Sequence, residues 1–113
     1  MNRYFNLVIL LLFIAACQNR TLEKWKEDKE ACNGFRSVGI TEELFKKIPI
    51  QNKTYLFIID KFGIPDKEHH TSKFNKFLKY TIENNCHIKE KDICILTINI
   101  ERNKVINFSI SCT

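Results

Sequence analysis

Residues 94–112 read CILTINIERNKVINFSISC, and they decide the fold. Apolar and polar residues alternate on either side of a polar segment at residues 101–104, where the chain can turn. An alternation with a period of two is typical of strands that bury one face. The apolar positions are Leu96, Ile98 and Ile100 before the turn and Ile106, Phe108 and Ile110 after it. This stretch therefore predicts an antiparallel pair of strands.

The length of the turn sets the register of these two strands. A two-residue loop would set Ile98 opposite Asn107 and bury polar side chains beside isoleucine. A three-residue loop pairs apolar residues throughout, namely Ile100 with Ile106, Ile98 with Phe108 and Leu96 with Ile110. Because a slip of one residue moves a whole strand face between core and water, we expect the second register. It also places Cys94 opposite Cys112.

One more strand and three helical segments are predicted before this pair. The alternation of Leu78, Tyr80 and Ile82 with polar residues predicts the strand. Helical spacing of apolar residues predicts the helices, which we expect at residues 21–36, 41–48 and 55–62. The polar residues 66–76 are expected to form a loop. The chain is therefore predicted to be α+β, with two or three N-terminal helices on a three-stranded antiparallel sheet.

Polar residues that can cap helices stand near the start of each helical segment. Thr21, Thr41 and Asn52 are expected to accept hydrogen bonds from the free N–H groups of the first turns. On the first helix, Trp25 is expected to pack into the core. On the third, the face expected to pack on the sheet carries Leu56, Ile59 and Phe62.

The N-terminus has the pattern of an export signal. Arg3 precedes an apolar run at residues 7–14, and Ala15 and Ala16 stand before Cys17. The run is shorter than the ~20 residues that cross a bilayer. A cysteine after Ile-Ala-Ala resembles the lipobox of bacterial lipoproteins, whose cysteine carries diacylglycerol and palmitate-type acyl chains. An ordinary cleaved signal with a chance cysteine is the alternative.

The lipobox divides the chain into three segments. We expect residues 1–16 to be a cleaved signal peptide, residues 17–21 a lipidated tether and residues 22–113 one domain. Gln18, rather than aspartate, follows the cysteine, and this resembles the outer-membrane sorting pattern of bacteria with two membranes. The domain is therefore expected to face the periplasm or the cell surface, with the lipid as its contact with the membrane.

Four further cysteines are expected to form two disulfide bonds, since their number is even and an exported protein meets an oxidising compartment. The strand register favours Cys94 with Cys112, which leaves Cys32 to pair with Cys86. The rival pairing joins Cys86 to Cys94 and Cys32 to Cys112. A zinc site is disfavoured because the chain has no Cys-x-x-Cys pair.

The remaining polar residues predict neither catalysis nor a cofactor. The formal net charge of +5 at pH 7 is spread over many lysines, and we expect a solvated surface with no binding role. If the charge does bind, anionic headgroups or polysaccharide suit it better than nucleic acid, which an exported protein rarely meets. His69 and His70 stand near Asp66 and Glu68, but no third ligand accompanies them at a recognisable spacing, so we expect a solvated loop rather than a metal site. Motifs for phosphate binding or nucleophilic catalysis are lacking.

Two further motifs are Trp25-x-x-Asp28-x-x-Ala31-Cys32-x-Gly34-Phe35-Arg36 and Phe62-Gly63-Ile64-Pro65-Asp66. They resemble motifs of the small bacterial lipoproteins of the SmpA/OmlA type, which have the BamE-like fold. Ala31, Phe35 and Phe62 stand where the family has glycine, tyrosine and leucine. The resemblance extends over residues 25–110 and implies two helices on a three-stranded antiparallel sheet. Cys86 matches a later cysteine of the family, which supports its pairing with Cys32.

The resemblance also implies a function. BamE-like lipoproteins are non-catalytic accessory subunits of the machine that assembles outer-membrane β-barrels, so we expect a binding or scaffold domain with another envelope protein as its partner. The alternative function, which a small disulfide-bonded lipoprotein also suits, is that of an inhibitor or immunity-type protein that blocks an enzyme or toxin in the periplasm.

Replacing Cys17 by serine is expected to release the protein from membranes, because the variant has no thiol to carry the acyl chains. Fractionation of cells that express Cys17→Ser measures this release. Gln18→Ser changes the neighbouring residue, keeps the thiol and should still sediment with membranes. A Cys17→Ser variant that sediments like the wild type contradicts the lipid anchor.

Overall fold

The computed structural model describes residues 20–84, 86 and 93–113, so the signal, Cys17 and most of the tether lie outside the described residues. Three helices precede a four-stranded sheet. The helices are α1 at residues 20–27, α2 at Val38–Lys47 and α3 at Tyr55–Phe62. The strands are β1 at Lys67–His70, β2 at Asn75–Ile82, β3 at Cys94–Glu101 and β4 at Lys104–Cys112. The α+β class is as expected, with one strand more.

The sheet is an antiparallel meander in the order β1-β2-β3-β4. One face forms the core with the helices, and its fully buried residues are Leu78, Tyr80, Ile82, Leu96, Ile98, Ile100 and Val105. The main helical contributions to this core are Trp25, Leu44, Phe45, Ile58 and Phe62. The opposite face stays accessible to solvent. Within the described part of the chain, no helix has the length and apolar composition needed to span a membrane.

β1 lies where a loop was expected at residues 66–76. All four of its side chains are polar and exposed, so no alternation of apolar residues marks this strand in the sequence. The strand forms through its backbone ladder with β2, in which Glu68 opposes Leu78. Asp66 extends the pairing, because its N–H donates to the carbonyl of Lys79 at 2.9 Å and its carboxylate accepts from the N–H of Thr81 at 2.6 Å.

The β3–β4 hairpin combines the two registers that the sequence offered. Arg102 and Asn103 form a two-residue turn with φ of 50° and 63°, the positive values that suit a tight hairpin. Ile100 therefore pairs with Val105, and its expected pairing with Ile106 is wrong. A register shift just before Ile100 accommodates one extra residue. Beyond the shift, the expected pairs are confirmed, namely Ile98 with Phe108, Leu96 with Ile110 and Cys94 with Cys112.

α1 ends at residue 27, so the prediction that it continues to residue 36 is wrong. The carboxylate of Asp28 organises a loop instead. It accepts hydrogen bonds from three backbone N–H groups, those of Asn33 at 3.1 Å, Phe35 at 3.0 Å and Arg36 at 3.3 Å. Such local bonds compete with a helical ladder. Ala31 and Gly34 have φ of 57° and 83°, which a right-handed helix does not contain.

Two threonines that were expected to cap helices lie inside them. Thr21 is within α1, which already includes residue 20. Thr41 is within α2, whose cap is Ser37, because the Ser37 hydroxyl accepts from the N–H of Ile40 at 3.1 Å. Thr41 is buried, and its hydroxyl accepts from the indole N–H of Trp25 at 2.9 Å. This bond satisfies a donor that the core would otherwise leave unpaired.

α3 also begins and packs differently from its expected form. The cap is the hydroxyl of Thr54 rather than Asn52, which has φ of 64° and lies in the preceding turn. The helix buries Ile58 and Phe62, and of these two only Phe62 belongs to the expected face. Leu56, however, is 73% exposed and Ile59 only half-buried, because the helix turns the side that carries Ile58 and Phe62, four positions apart, toward the core.

A buried arginine joins the end of α1 to the sheet. Arg36 is 2% exposed, and its guanidinium carbon lies 4.3 Å from the centre of the Trp25 ring. Its Nε donates to the carbonyl of Trp25 at 2.7 Å, and its Nη atoms donate to the carbonyls of Lys26, Lys29 and Thr81 at 3.2–3.5 Å. Burial lowers the pKa of Arg36. Carbonyl groups at a helix C-terminus carry partial negative charge and so offset this buried cation.

Replacing Asp28 by alanine is expected to lower the free energy of unfolding by about 2 kcal/mol, because three backbone N–H groups lose their acceptor. Urea denaturation followed by the fluorescence of Trp25 measures this loss. Asp60→Ala removes an exposed aspartate from α3 and should change stability by less than about 0.5 kcal/mol. Equal stability of the two variants would contradict the role of Asp28.

Candidate binding surface

The four cysteines form two disulfide bonds, Cys32–Cys86 and Cys94–Cys112. The preferred pairing is confirmed, and the rival pairing is wrong. The Cα atoms of Cys94 and Cys112 lie 4.0 Å apart across β3 and β4, as in closely opposed strand residues. Cys32 lies in the loop after α1, not on a helix, and its bond joins this loop to the segment after β2. These four sulfurs are structural crosslinks.

The two neighbouring histidines lie on β1, not in the loop that was expected. Adjacent side chains on a strand point to opposite faces, so His69 and His70 do not converge on one ion. The Nε2 of His70 lies 3.5 Å from Oε1 of Glu68. Among the described residues, no group of three or more His, Cys, Asp or Glu side chains is placed to hold a metal. His87 lies outside the described residues.

A groove of about 480 Å³ lies at the end of the sheet where the β1–β2 loop meets the β3–β4 turn. In an antiparallel meander, alternate connections lie at the same end, so these two are neighbours. The volume is within the range of sites that bind small ligands or single side chains. The lining residues, which we call the turn-end groove, are Lys73, Phe74, Lys76, Arg102 and Asn103.

Hydrogen bonds from the backbone hold the parts of the turn-end groove together. The N–H of Arg102 donates to the carbonyl of Phe74 at 3.0 Å, which ties the β3–β4 turn to the β1–β2 loop. The side-chain oxygen of Asn103 accepts from the N–H of Tyr55 at 3.3 Å, which ties the same turn to the start of α3. The groove is therefore built from two parts of the chain, and its β3–β4 turn is also tied to α3.

The charge of Lys76 is compensated within the domain. Its Nζ lies 3.6 Å from the centre of the Tyr55 ring and 3.2 Å from Oε1 of Glu68. The hydroxyl of Tyr55 donates to Oε2 of the same carboxylate at 3.1 Å. Burial raises the pKa of Tyr55, and its bond to Glu68 raises it further. Of this cluster, Lys76 lines the groove.

Lys73 and Arg102 carry charge that faces solvent. Within the described residues, neither side chain forms an ion pair with a carboxylate. The Nζ of Lys73 lies 5.6 Å from the centre of the Phe74 ring, which is 64% exposed. The turn-end groove therefore presents an exposed phenylalanine together with two cations that pair with no carboxylate among the described residues.

This arrangement suits the binding of an anionic group beside an apolar one. The guanidinium of Arg102 offers planar donors that match the two oxygens of a carboxylate, and Lys73 adds a mobile positive charge. Phe74 supplies apolar surface of the kind that dominates protein interfaces. The five lining side chains are three cationic groups, one phenyl ring and one amide.

Sequence reasoning did not find this groove, because it treated the basic charge as spread over the surface and residues 66–76 as one loop. The sequence feature that could have revealed the groove is the position of two short polar connections. Lys73 and Phe74 precede β2, and Arg102 and Asn103 precede β4. Once β1 is known to be a strand, both connections lie at one end of the meander, and their side chains come together.

Comparisons with family models, with curated proteins and with solved structures find no match to this chain.

Removing the Cys32–Cys86 bond is expected to destabilise the domain more than removing Cys94–Cys112, because it closes a longer loop. The bonded residues are 54 and 18 positions apart, respectively. In the chain-entropy model the losses are roughly 4 and 3 kcal/mol. Thermal unfolding of two double variants, Cys32→Ala with Cys86→Ala and Cys94→Ala with Cys112→Ala, compares them. The reverse order would contradict this entropic account.

Proposed function

We propose that this protein is a non-catalytic lipoprotein of the bacterial cell envelope, whose domain binds another envelope protein through the turn-end groove. One observation carries the proposal, namely that the exposed Phe74 lines one groove with Lys73 and Arg102, whose charges pair with no described carboxylate. Aromatic and arginine side chains are enriched at protein interfaces and contribute much of their binding energy. The partner segment is acidic and carries an apolar side chain that packs on Phe74.

The disulfides support the envelope location. Two disulfide bonds in so small a domain suit an oxidising compartment, since the cytoplasm keeps thiols reduced. They use four of the five cysteines, which leaves Cys17 for lipid attachment. Gln18 after it favours the outer membrane over the inner one.

The SmpA/OmlA resemblance supports a BamE-like arrangement and a role as an accessory subunit in the assembly of outer-membrane β-barrels. The motif residues of this chain have structural roles. Trp25, Asp28 and Arg36 build the connection after α1, and Cys32 forms a disulfide bond. The motif therefore bears on the fold, while the link to barrel assembly depends on the resemblance alone. The fourth strand, β1, is an addition to the three-stranded sheet of that family.

Crosslinking in cells tests the partner and its binding site together. A photoreactive amino acid at position 74 of the full-length protein is expected to capture one envelope protein. Position 64 is the matched control, because Ile64 is 81% exposed and lies outside the groove. Capture of a barrel-assembly subunit supports the accessory role, whereas capture of a secreted enzyme or toxin supports an inhibitor or immunity role. Equal capture from both positions contradicts the groove as the binding site.

Reversing the two free charges of the groove, Lys73→Glu with Arg102→Glu, is expected to reduce capture from position 74 by at least about tenfold, because an acidic partner is then repelled. Lys47→Glu reverses an exposed lysine on α2 and should leave capture unchanged. Circular dichroism establishes that both proteins are folded. Unchanged capture by the double variant would show that the groove charges do not hold the partner.

A further inference from the structure

The two edges of the sheet differ in how they are protected from pairing with another strand. β1, at one edge, has four residues, and the sequence Lys-Glu-His-His gives it charge and titratable groups. β4, at the other edge, has nine residues. From residue 105 to residue 113 the chain contains no charged residue, no histidine and no proline. Proteins usually prevent an edge strand from pairing with another chain by charged residues, proline or a short length. β4 is long, and it lacks charge and proline from residue 105 onward.

The hydrogen bonds of the hairpin determine which backbone groups of β4 point outward. The N–H of Thr113 donates to the carbonyl of Ile93 at 3.2 Å, so the backbone of Thr113 points toward β3. Hydrogen-bonded and non-bonded pairs alternate in an antiparallel ladder, and the 4.0 Å separation of Cys94 and Cys112 fits a non-bonded pair. The N–H and C=O groups of Cys112, Ile110 and Phe108 therefore point away from β3.

Only the start of this edge is covered within the described residues. Val105 accepts from the N–H of Asn52 and donates to the carbonyl of Lys53, both at 2.9 Å. Beyond that point, no described backbone group pairs with the outward groups of Phe108 or Ile110. The ring of Phe108 is 40% exposed, although it contacts Phe45 with ring centres 4.6 Å apart. The free part of β4 thus combines open backbone groups with accessible apolar surface.

We propose that two copies of this protein associate through β4, in antiparallel pairing that continues the sheet across a two-fold axis at Ser109. In this register, Phe108 of each copy lies opposite Ile110 of the other. Both residues point their backbone groups outward, so each such pair exchanges both hydrogen bonds. The paired side chains lie on the core side of the sheet and cover each other's exposed apolar surface.

A second copy fits this edge because the strand is complementary to itself. On the accessible face, the same register places Ser109 opposite Ser109 and Asn107 opposite Ser111, so no charge meets a like charge. The antiparallel direction also carries Lys104 of each copy to opposite ends of the interface. An isologous contact of this kind closes at two copies. It leaves the two turn-end grooves at opposite ends of the joined sheet, each free to bind a partner.

Cysteine crosslinking of the full-length protein in cells tests the proposed axis. Ser109 of the two copies forms a non-bonded pair, whose short Cα separation suits a disulfide bond. Ser109→Cys is expected to give a covalent dimer on non-reducing gels, ~tenfold more than Ser72→Cys, because pairing raises the local concentration of the thiols. Ser72 is the matched control, since it is an exposed serine in the β1–β2 loop.

Mixed variants test the register itself. Asn107→Cys and Ser111→Cys are expected to crosslink when the two are expressed together, and only weakly when either is expressed alone. The proposal is overturned if Ser109→Cys crosslinks no more than Ser72→Cys, or if Asn107→Cys alone crosslinks as well as Ser109→Cys.

A second experiment uses no new cysteines, so its result does not depend on whether the cysteine variants fold. The full-length protein in detergent is expected to be dimeric by light scattering, with Ser109→Lys and Ser109→Glu each monomeric because like charges oppose each other at the axis. Mixing the two variants should restore a dimer, since lysine then opposes glutamate. A wild-type protein that stays monomeric, or a mixture that does not associate, overturns the proposal.

Discussion

The guanidinium of Arg36, packed on the ring of Trp25, is the interaction on which the rest of the structure depends. It donates to carbonyls at the end of α1 and to Thr81 on β2, so one side chain attaches the first helix to the sheet. Asp28 then gathers the backbone of the following loop. A buried cation is costly unless its donors find acceptors, and here four backbone carbonyls accept from Arg36, two of them at the end of α1. The same loop carries Cys32 to Cys86 and leads into α2.

The turn-end groove lies at the end of the sheet opposite to this attachment. The disulfides and the buried arginine lie near the end of the sheet where β2 and β4 finish. The β1–β2 loop and the β3–β4 turn lie at the other end, where Phe74, Lys73 and Arg102 are exposed. One end of the sheet therefore carries the crosslinks, and the other carries the exposed cations. This separation is compatible with the proposed binding role.

The two edge strands of the sheet also differ from each other. The charged, short β1 resists pairing, while the uncharged β4 offers backbone groups and apolar side chains along one line. Two copies joined through β4 present two grooves on one rigid sheet. A partner with two acidic segments would then bind more tightly than either segment alone, since the second contact is intramolecular. The groove and the edge share no lining residue, so each function stands without the other.

The sequence by itself determined the features that follow from local periodicity. The alternation of Leu96 and Ile98 identified the strand face that is buried, and the same period of two placed Cys94 opposite Cys112. Tertiary structure decided the rest. β1 has four exposed side chains and exists because its backbone pairs with β2, so no apolar pattern announced it. α1 ends early because the carboxylate of Asp28 accepts from three N–H groups of the following loop, which Arg36 and Cys32 in turn join to distant parts of the chain. The turn-end groove forms because two distant turns meet. Periodicity records which face is buried, whereas pairing partners and neighbouring turns are set by residues far apart in the chain.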